Sequence, residues 1–379
     1  MKEVKTVAES AEINIDGGGS RLHGLDLLRI VLMIMVCILH ALNQFGTLFV
    51  QGANADTTVY FSMLLELLSV MAVNAWILTS GYLLINTEFK LKRFFELLLT
   101  VIFYSAFVFV LFQALKASHI TDIAAFKDGG SFSGGGMFGL VQGLFPISSE
   151  HYFFMTWYLI LYIISPILNI GALKISKEKF RLLLVLFIIW CSLIKSVIPV
   201  NFAADDLGYG FRWFVCLYLT GAYLRLHVDS KRISAKKWLF VYVISVLINY
   251  CISAVLFIIN GITGGFSYFM YVPLHYNFIF NLTAAIGLFM FFKSLKINKK
   301  MKRSVKYIAG HTLGVYLLHA HPLFFNSWKE LIAAVLGNPP VTETLNFLIY
   351  LLICVVILFC AGIAVDIVRE ALFKRLKWI

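Results

Sequence analysis

Arg29 and His40 are the residues whose types and spacing first suggest chemistry. They stand eleven positions apart, and the ten residues between them are all apolar. On a helix, eleven residues rise about 16 Å, and eleven steps of about 100° return close to the starting direction. Both side chains therefore leave one face of one helix, a permanent cation toward one end and a titratable base toward the other. Ionisable groups inside a membrane are costly and turn toward the protein interior or a water-filled cavity. The pair thus reads as two polar stations along one internal channel. The same residues also fit a basic anchor at one membrane surface and an interfacial histidine at the other. Few other ionisable residues share such apolar surroundings: Asp26, Glu66, Lys195, His319, His321 and Asp366.

The elements that must position these groups follow from composition. A chain of 379 residues that is 60% hydrophobic and only 14% charged would expose more apolar surface than water tolerates, so a soluble domain is excluded. Residues 238–292 contain no Asp, Glu, Lys or Arg, which is room for two helical crossings of about 20 residues each. The apolar runs are continuous rather than alternating, which selects helices over a β-barrel. The expected fold is an all-α polytopic membrane protein of about ten transmembrane helices. They are placed at residues 25–43, 60–85, 94–115, 152–170, 180–199, 208–226, 238–260, 276–292, 305–325 and 345–368, with Arg212 interrupting the sixth.

Lys and Arg accumulate in cytoplasmic loops, and here they cluster in alternate connections. One side holds Lys90, Lys92 and Arg93, then Lys174, Lys177, Lys179 and Arg181, then Arg225, Lys231, Arg232, Lys236 and Lys237, and a further run from Lys293 to Lys306. This alternation places the N-terminus and the C-terminus in the cytoplasm. It divides the chain into a cytoplasmic segment (1–24), a transmembrane domain (25–368) and a cytoplasmic tail (369–379). The polar, Gly-rich stretch before the first span lacks the pattern of a removed signal peptide. In the long outer segment the Gly-rich residues 129–136 are expected to form a mobile loop, followed by a short interfacial helix at Met137–Leu144. The net charge of +12 is a topology signal with attraction to anionic membrane lipid, not a nucleic-acid footprint, because the bases are dispersed. The six cysteines lie in apolar spans without paired spacing, so no metal site is expected.

Several segments together resemble one family. Leu25-Asp26-Leu27-Leu28-Arg29 followed by His40 is similar to the signature of the membrane acyltransferase-3 family, whose members O-acylate bacterial surface polysaccharides. Val73-Asn74 with Ser80-Gly81-Tyr82, and the basic turn at Lys90, Lys92 and Arg93, resemble its second helix and the turn after it. Trp157-Tyr158-Leu159, with Tyr162, Ser165, Pro166 and Asn169, resembles its fourth. Thr220-Gly221-Ala222-Tyr223-Leu224-Arg225 and Leu313-Gly314-Val315-Tyr316-Leu317-Leu318-His319 are similar to two later elements.

The resemblance implies an integral O-acyltransferase of the bacterial plasma membrane. It would move an acyl group, acetyl by default, from cytoplasmic acyl-CoA to a hydroxyl of a surface polysaccharide or lipid-linked glycan. Acyl-CoA is then a donor substrate, no cofactor is tightly bound, and polysaccharide-biosynthesis proteins are candidate partners. His40 would be the general base or the acyl acceptor. Arg29 would bind a phosphate or carbonyl of the donor, or stabilise charge developing on the carbonyl oxygen, with Asp26 holding its guanidinium. Glu66 lies at a helical depth about 5 Å from that of His40, which allows a carboxylate–imidazole pair that orients the ring, beside the reading of a carboxylate facing water near the interface. Lys90, Lys92 and Arg93 suit coenzyme phosphates, although topology alone also puts bases there. Ser80 and Gly81 would border the donor, unless Gly81 serves helix packing. His319, Trp157 and Tyr158 would meet the acceptor. A transporter or flippase of a lipid-linked sugar or acyl group would share the helices and the polar cavity. It would not require the Arg29/His40 spacing together with a basic coenzyme-binding turn.

Overall fold

The computed structural model describes residues 21–49, 56–117, 137–149, 151–198, 206–229, 233–325 and 327–376. The N-terminal residues before 21 and the Gly-rich loop at 129–136 lie outside them. The described residues are helical and contain no strand. That is the outcome expected where no water is present to satisfy backbone amides and each segment must bond its own. The chain runs through α1 (His23–Phe45), α2 (Thr57–Ser69), α3 (Ala72–Leu84), α4 (Leu91–Ala117), α5 (Met137–Leu144) and α6 (Phe153–Lys174). It continues with α7 (Lys177–Ile188), a π-turn (Ile189–Leu193), α8 (Ile194–Val197), α9 (Phe211–His227), α10 (Ala235–Thr263), α11 (Ser267–Tyr271) and α12 (Ile279–Ser294). It closes with α13 (Lys299–Gly310), α14 (Thr312–His319), α15 (Pro322–Phe325), α16 (Trp328–Leu336) and α17 (Thr344–Arg375).

Eight helical stretches are long and apolar enough to cross a bilayer. Three of them are composite: α2 and α3 run on through a turn at Val70 and Met71, α7 continues through the π-turn into α8, and α11 leads through a 3-10 turn into α12. Their outer faces carry apolar side chains that only lipid would cover, such as Trp190 at 73% and Ile262 at 79% exposure. This is a multi-pass membrane protein.

Two of the ten expected crossings take other forms. The segment expected at 208–226 is α9, whose 17 residues rise about 26 Å, short of a hydrocarbon core of about 30 Å. Arg212 in its first turn reaches back to Asp206, Nη2 to Oδ2 at 2.8 Å, in the exposed loop ahead of it. The segment expected at 305–325 is not one helix. It breaks at His311 and again after His319, and Pro322 begins the short α15.

Helix α1 is central, packing against α2, α3, α12, α13, α14 and α17. Beside it, α3 and α9 approach backbone to backbone. A β-carbon on Gly81 would lie 2.0 Å from the carbonyl oxygen of Tyr218, and one on Gly221 would lie 2.1 Å from that of Leu78. Polar clips complete the frame. Asn74 donates from Nδ2 to the Tyr276 carbonyl at 2.7 Å and accepts from Trp213 Nε1 at 2.9 Å. Asn169 donates to the Leu84 carbonyl at 2.9 Å and accepts from the Tyr218 hydroxyl at 2.8 Å. Several residues that carry the resemblance are therefore tethers between helices.

Gly81→Val should lower the thermal stability of the detergent-solubilised protein by about 3 kcal/mol or more, because its methyls would meet rigid backbone rather than a side chain that can move. Ser80→Ala is the control, since the Ser80 hydroxyl bonds only the Trp76 carbonyl of its own helix, at 3.1 Å. A Gly81→Val protein that melts with the wild type would remove this account of the α3–α9 contact.

Candidate functional site

The face of α1 that bears both Arg29 and His40 has a different setting at each end. At the arginine end the acid of the motif is already engaged. Arg21 grips Asp26 with two bonds, Nε to Oδ2 and Nη2 to Oδ1, each 2.8 Å. His23 Nδ1 adds a third contact at 3.3 Å, whereas Arg29 Nη1 stays 3.7 Å from Oδ1. Asp26 thus belongs mainly to Arg21 and holds Arg29 only loosely, leaving donors of the Arg29 fork available. Arg29 also lies in the electrostatic field of Arg21, Arg93 and Tyr158. Arg21 and Arg29 at one carboxylate, with Arg93 within the field of Arg29, form a site of net positive charge, suited to a polyanion.

Arg93 comes to this end from the start of α4. Its guanidinium sits 5.7 Å above the ring of Tyr162, and the Tyr162 hydroxyl bonds both the amide (3.2 Å) and the carbonyl (3.3 Å) of Lys90. Tyr162 therefore fixes the basic turn to α6. A cavity of about 470 Å³ uses Tyr162 as one wall, with Thr87, Glu88, Ser165 and Asn169 among the others. Lys92 is different: it is exposed and lies 3.7 Å from Glu96 on its own helix.

At the other end the His40 ring meets His319, with centroids 4.9 Å apart, and the edge of Phe325 at 5.2 Å. His319 is 1% exposed. Its Nδ1 is 2.5 Å from the Val315 carbonyl oxygen, which can only accept, so Nδ1 carries the proton and Nε2 of the neutral ring keeps a lone pair. Both His319 Nε2 and His40 Nδ1 are buried without a hydrogen-bond partner among the described residues. A buried polar atom left unsatisfied costs about 1–3 kcal/mol, and two of them on touching rings mark a place where a further polar group belongs. Tyr316 stands 6.3 Å from His319 by ring centroids, and beyond it lie Tyr152 and Phe154. Tyr152 also borders His321, which has His151 6.3 Å away. Just outside the spans, burial pushes the His151 imidazole down to about 4, so it is neutral near pH 7.

One expectation needs correction. Glu66 does not pair with His40: it lies in electrostatic reach of Tyr209 and Tyr276, whose rings are 4.6 Å apart, and its Oε2 has no partner among the described residues. Matching depth along two helices fixes height but not direction around the axis. Gly81 packs against the α9 backbone, the helix-packing alternative stated for it. Trp157 packs on Phe211 at 5.8 Å, and Tyr158 stacks on Phe154 at 5.9 Å and lies within the field of Arg29. Arg21, Phe325 and the Val315 carbonyl carried no signal in the sequence. Each acts through a contact that only the folded chain creates.

Comparison with known proteins adds one match. A search of curated proteins and a search of solved structures each found nothing that matches. A family model described as an acyltransferase domain matches residues 22–366. It takes in both ends of the α1 face, the turn at Lys90 to Arg93 and the whole of α14. With nearly the full chain covered, this membrane protein belongs to the acyltransferase-3 family.

Proposed function

We propose that the chain takes an acyl group, acetyl by default, from acyl-coenzyme A in the cytoplasm and transfers it to a sugar hydroxyl on the far side of the bacterial plasma membrane. The acceptor is a surface polysaccharide or a lipid-linked glycan. Both chain ends and the Arg29 end of α1 face the cytoplasm in this reading, in line with the basic clusters on that side. The observation that carries it is the single face of α1, with guanidinium groups free for phosphates at one end and two touching imidazoles at the other. An extended pantetheine arm suits the span between them.

The chemistry balances with the residues at hand. The sugar oxygen attacks the thioester carbonyl carbon, a C–O bond forms, and the C–S bond breaks. The hydroxyl proton passes to an imidazole nitrogen and from there to the departing thiolate. Nε2 of His319, held bare by the bond at Nδ1, and the neighbouring His40 supply the accepting nitrogens. A two-step route through an acyl-imidazole on His40 uses the same atoms.

Purified protein in lipid discs is expected to bind acetyl-coenzyme A and, with a glycan acceptor, to form ester-linked acetyl groups. Absence of donor binding would reject this reading and leave transport of a lipid-linked sugar. The arrangement also ranks the bases of the turn. Arg93→Ala should weaken donor binding about 10-fold or more, as loss of charged hydrogen bonds does. Lys92→Ala, which removes only an exposed pair, should change it less than about 5-fold. Equal effects of the two substitutions in a binding titration would count against a phosphate site at Arg93.

A further inference from the structure

The break at His311 is filled with buried charge. His311 Nδ1 donates to Asp366 Oδ2 at 2.7 Å, and the Tyr104 hydroxyl donates to Asp366 Oδ1 at 2.8 Å. Arg369 adds Nε to Oδ1 at 2.7 Å and Nη2 to Oδ2 at 3.1 Å. His311 Nε2 is 3.5 Å from Glu370, which pairs with Lys374 at 2.6 Å. Asp366 is 1% and His311 2% exposed. Apolar residues of similar volume would commonly hold helices together at least as well as such a cluster, which makes its presence at a helix break informative.

A continuous path leads from this cluster to the imidazole pair. A β-carbon on Gly314 would lie 2.4 Å from both Asp366 Oδ1 and the Tyr104 hydroxyl, so these groups press directly on the α14 backbone. One turn earlier along α17, Gly362 abuts Val315, where a β-carbon would lie 2.5 Å from the Val315 Cα. The Val315 carbonyl is the group that holds His319 Nδ1. Helix α14 is only eight residues long, with His311 as its N-cap and His319 as its last residue. We infer that the Asp366 cluster is a positioning device for His319: it fixes the short helix α14 so that His319 Nε2 is presented beside His40. The inference rests on the reading that these two histidines carry the transfer.

The test uses ¹⁵N-histidine-labelled full-length protein in lipid discs. The Nδ1–H tautomer signal of His319 is assigned by its disappearance in His319→Gln. In Asp366→Asn, which preserves volume, that signal is expected to shift or split, and kcat to fall at least 10-fold, while the KM for acetyl-coenzyme A stays within 2-fold. Tyr104→Phe removes a single bond to Asp366 and is expected to give a smaller change in the same direction. An unshifted His319 signal in folded Asp366→Asn would overturn the inference, as would a KM that rises in step with the loss of kcat. If Asp366→Asn does not fold, the Tyr104→Phe spectrum decides. If neither folds, the cluster is a folding element and the positioning role is rejected. Should the wild-type protein transfer no acyl group, the reading of the chemistry fails, yet the histidine spectra still report whether Asp366 sets His319.

Discussion

Replacing His40 with alanine should reduce acyl transfer by about 10²–10⁴-fold, the usual contribution of a positioned general base, while the protein stays folded and in the membrane. The ring is part-exposed and its Nδ1 has no partner among the described residues, so its removal breaks no hydrogen bond that holds α1. The loss should appear in the rate and not in donor binding, because the guanidinium end of α1 lies about 16 Å away by helical rise. Quantifying ester-linked acetyl groups on the glycan, beside a titration with acetyl-coenzyme A, separates the two. Full acylation by His40→Ala would end the proposed role. If His40 instead carries the acyl group, the loss should be complete, and acid-quenched wild-type protein should hold label from the donor when no acceptor is present. His319→Gln then distinguishes the partners, since in the general-base route it also lowers the rate without creating a covalent intermediate.

The second large effect is expected at Arg29. Arg29→Met should weaken acyl-coenzyme A binding ~30-fold or more, the cost of removing one partner from a desolvated charge contact. The substitution is informative because it strands no acid: Asp26 keeps both bonds from Arg21. Arg29→Lys restores the charge but not the planar fork, so an intermediate affinity is expected. Arg21→Met makes the contrast. It leaves Asp26 with only Arg29 at 3.7 Å and His23, and should cost stability as well as affinity. An Arg29→Met protein that binds the donor like the wild type would show that its phosphates lie elsewhere.

Much of this was legible in the sequence, and the remainder was hidden for definable reasons. Composition and continuous apolar runs specify membrane helices, and eleven residues at 100° each place Arg29 and His40 on one face without tertiary information. His319 was marked by its motif, but its contact with the His40 ring depends on how α14 meets α1, which no local periodicity encodes. Glu66 was matched to His40 by height, and the fold turns it toward Tyr209 and Tyr276 instead. The break at His311 has a local signal in Gly310-His311-Thr312, but the apolar run that resumes at Leu313 masks it. The group that holds His311 at the break is Asp366, 55 positions away on α17. Arg21 takes Asp26 from Arg29 because the chain before α1 folds back on its first turn, in a stretch that reads only as a polar lead-in.

The placement of Arg29 and His40 on one unbroken helix also makes α1 a ruler. If the phosphates dock at the guanidinium groups, the thioester falls at a fixed mark, whichever acyl group is attached. Chain length would then be judged beyond His40, where the Phe325 edge closes the space 5.2 Å from the imidazole. Selectivity for short acyl groups would reside in that wall, and trimming Phe325 would be the way to admit longer ones without disturbing how the donor is held.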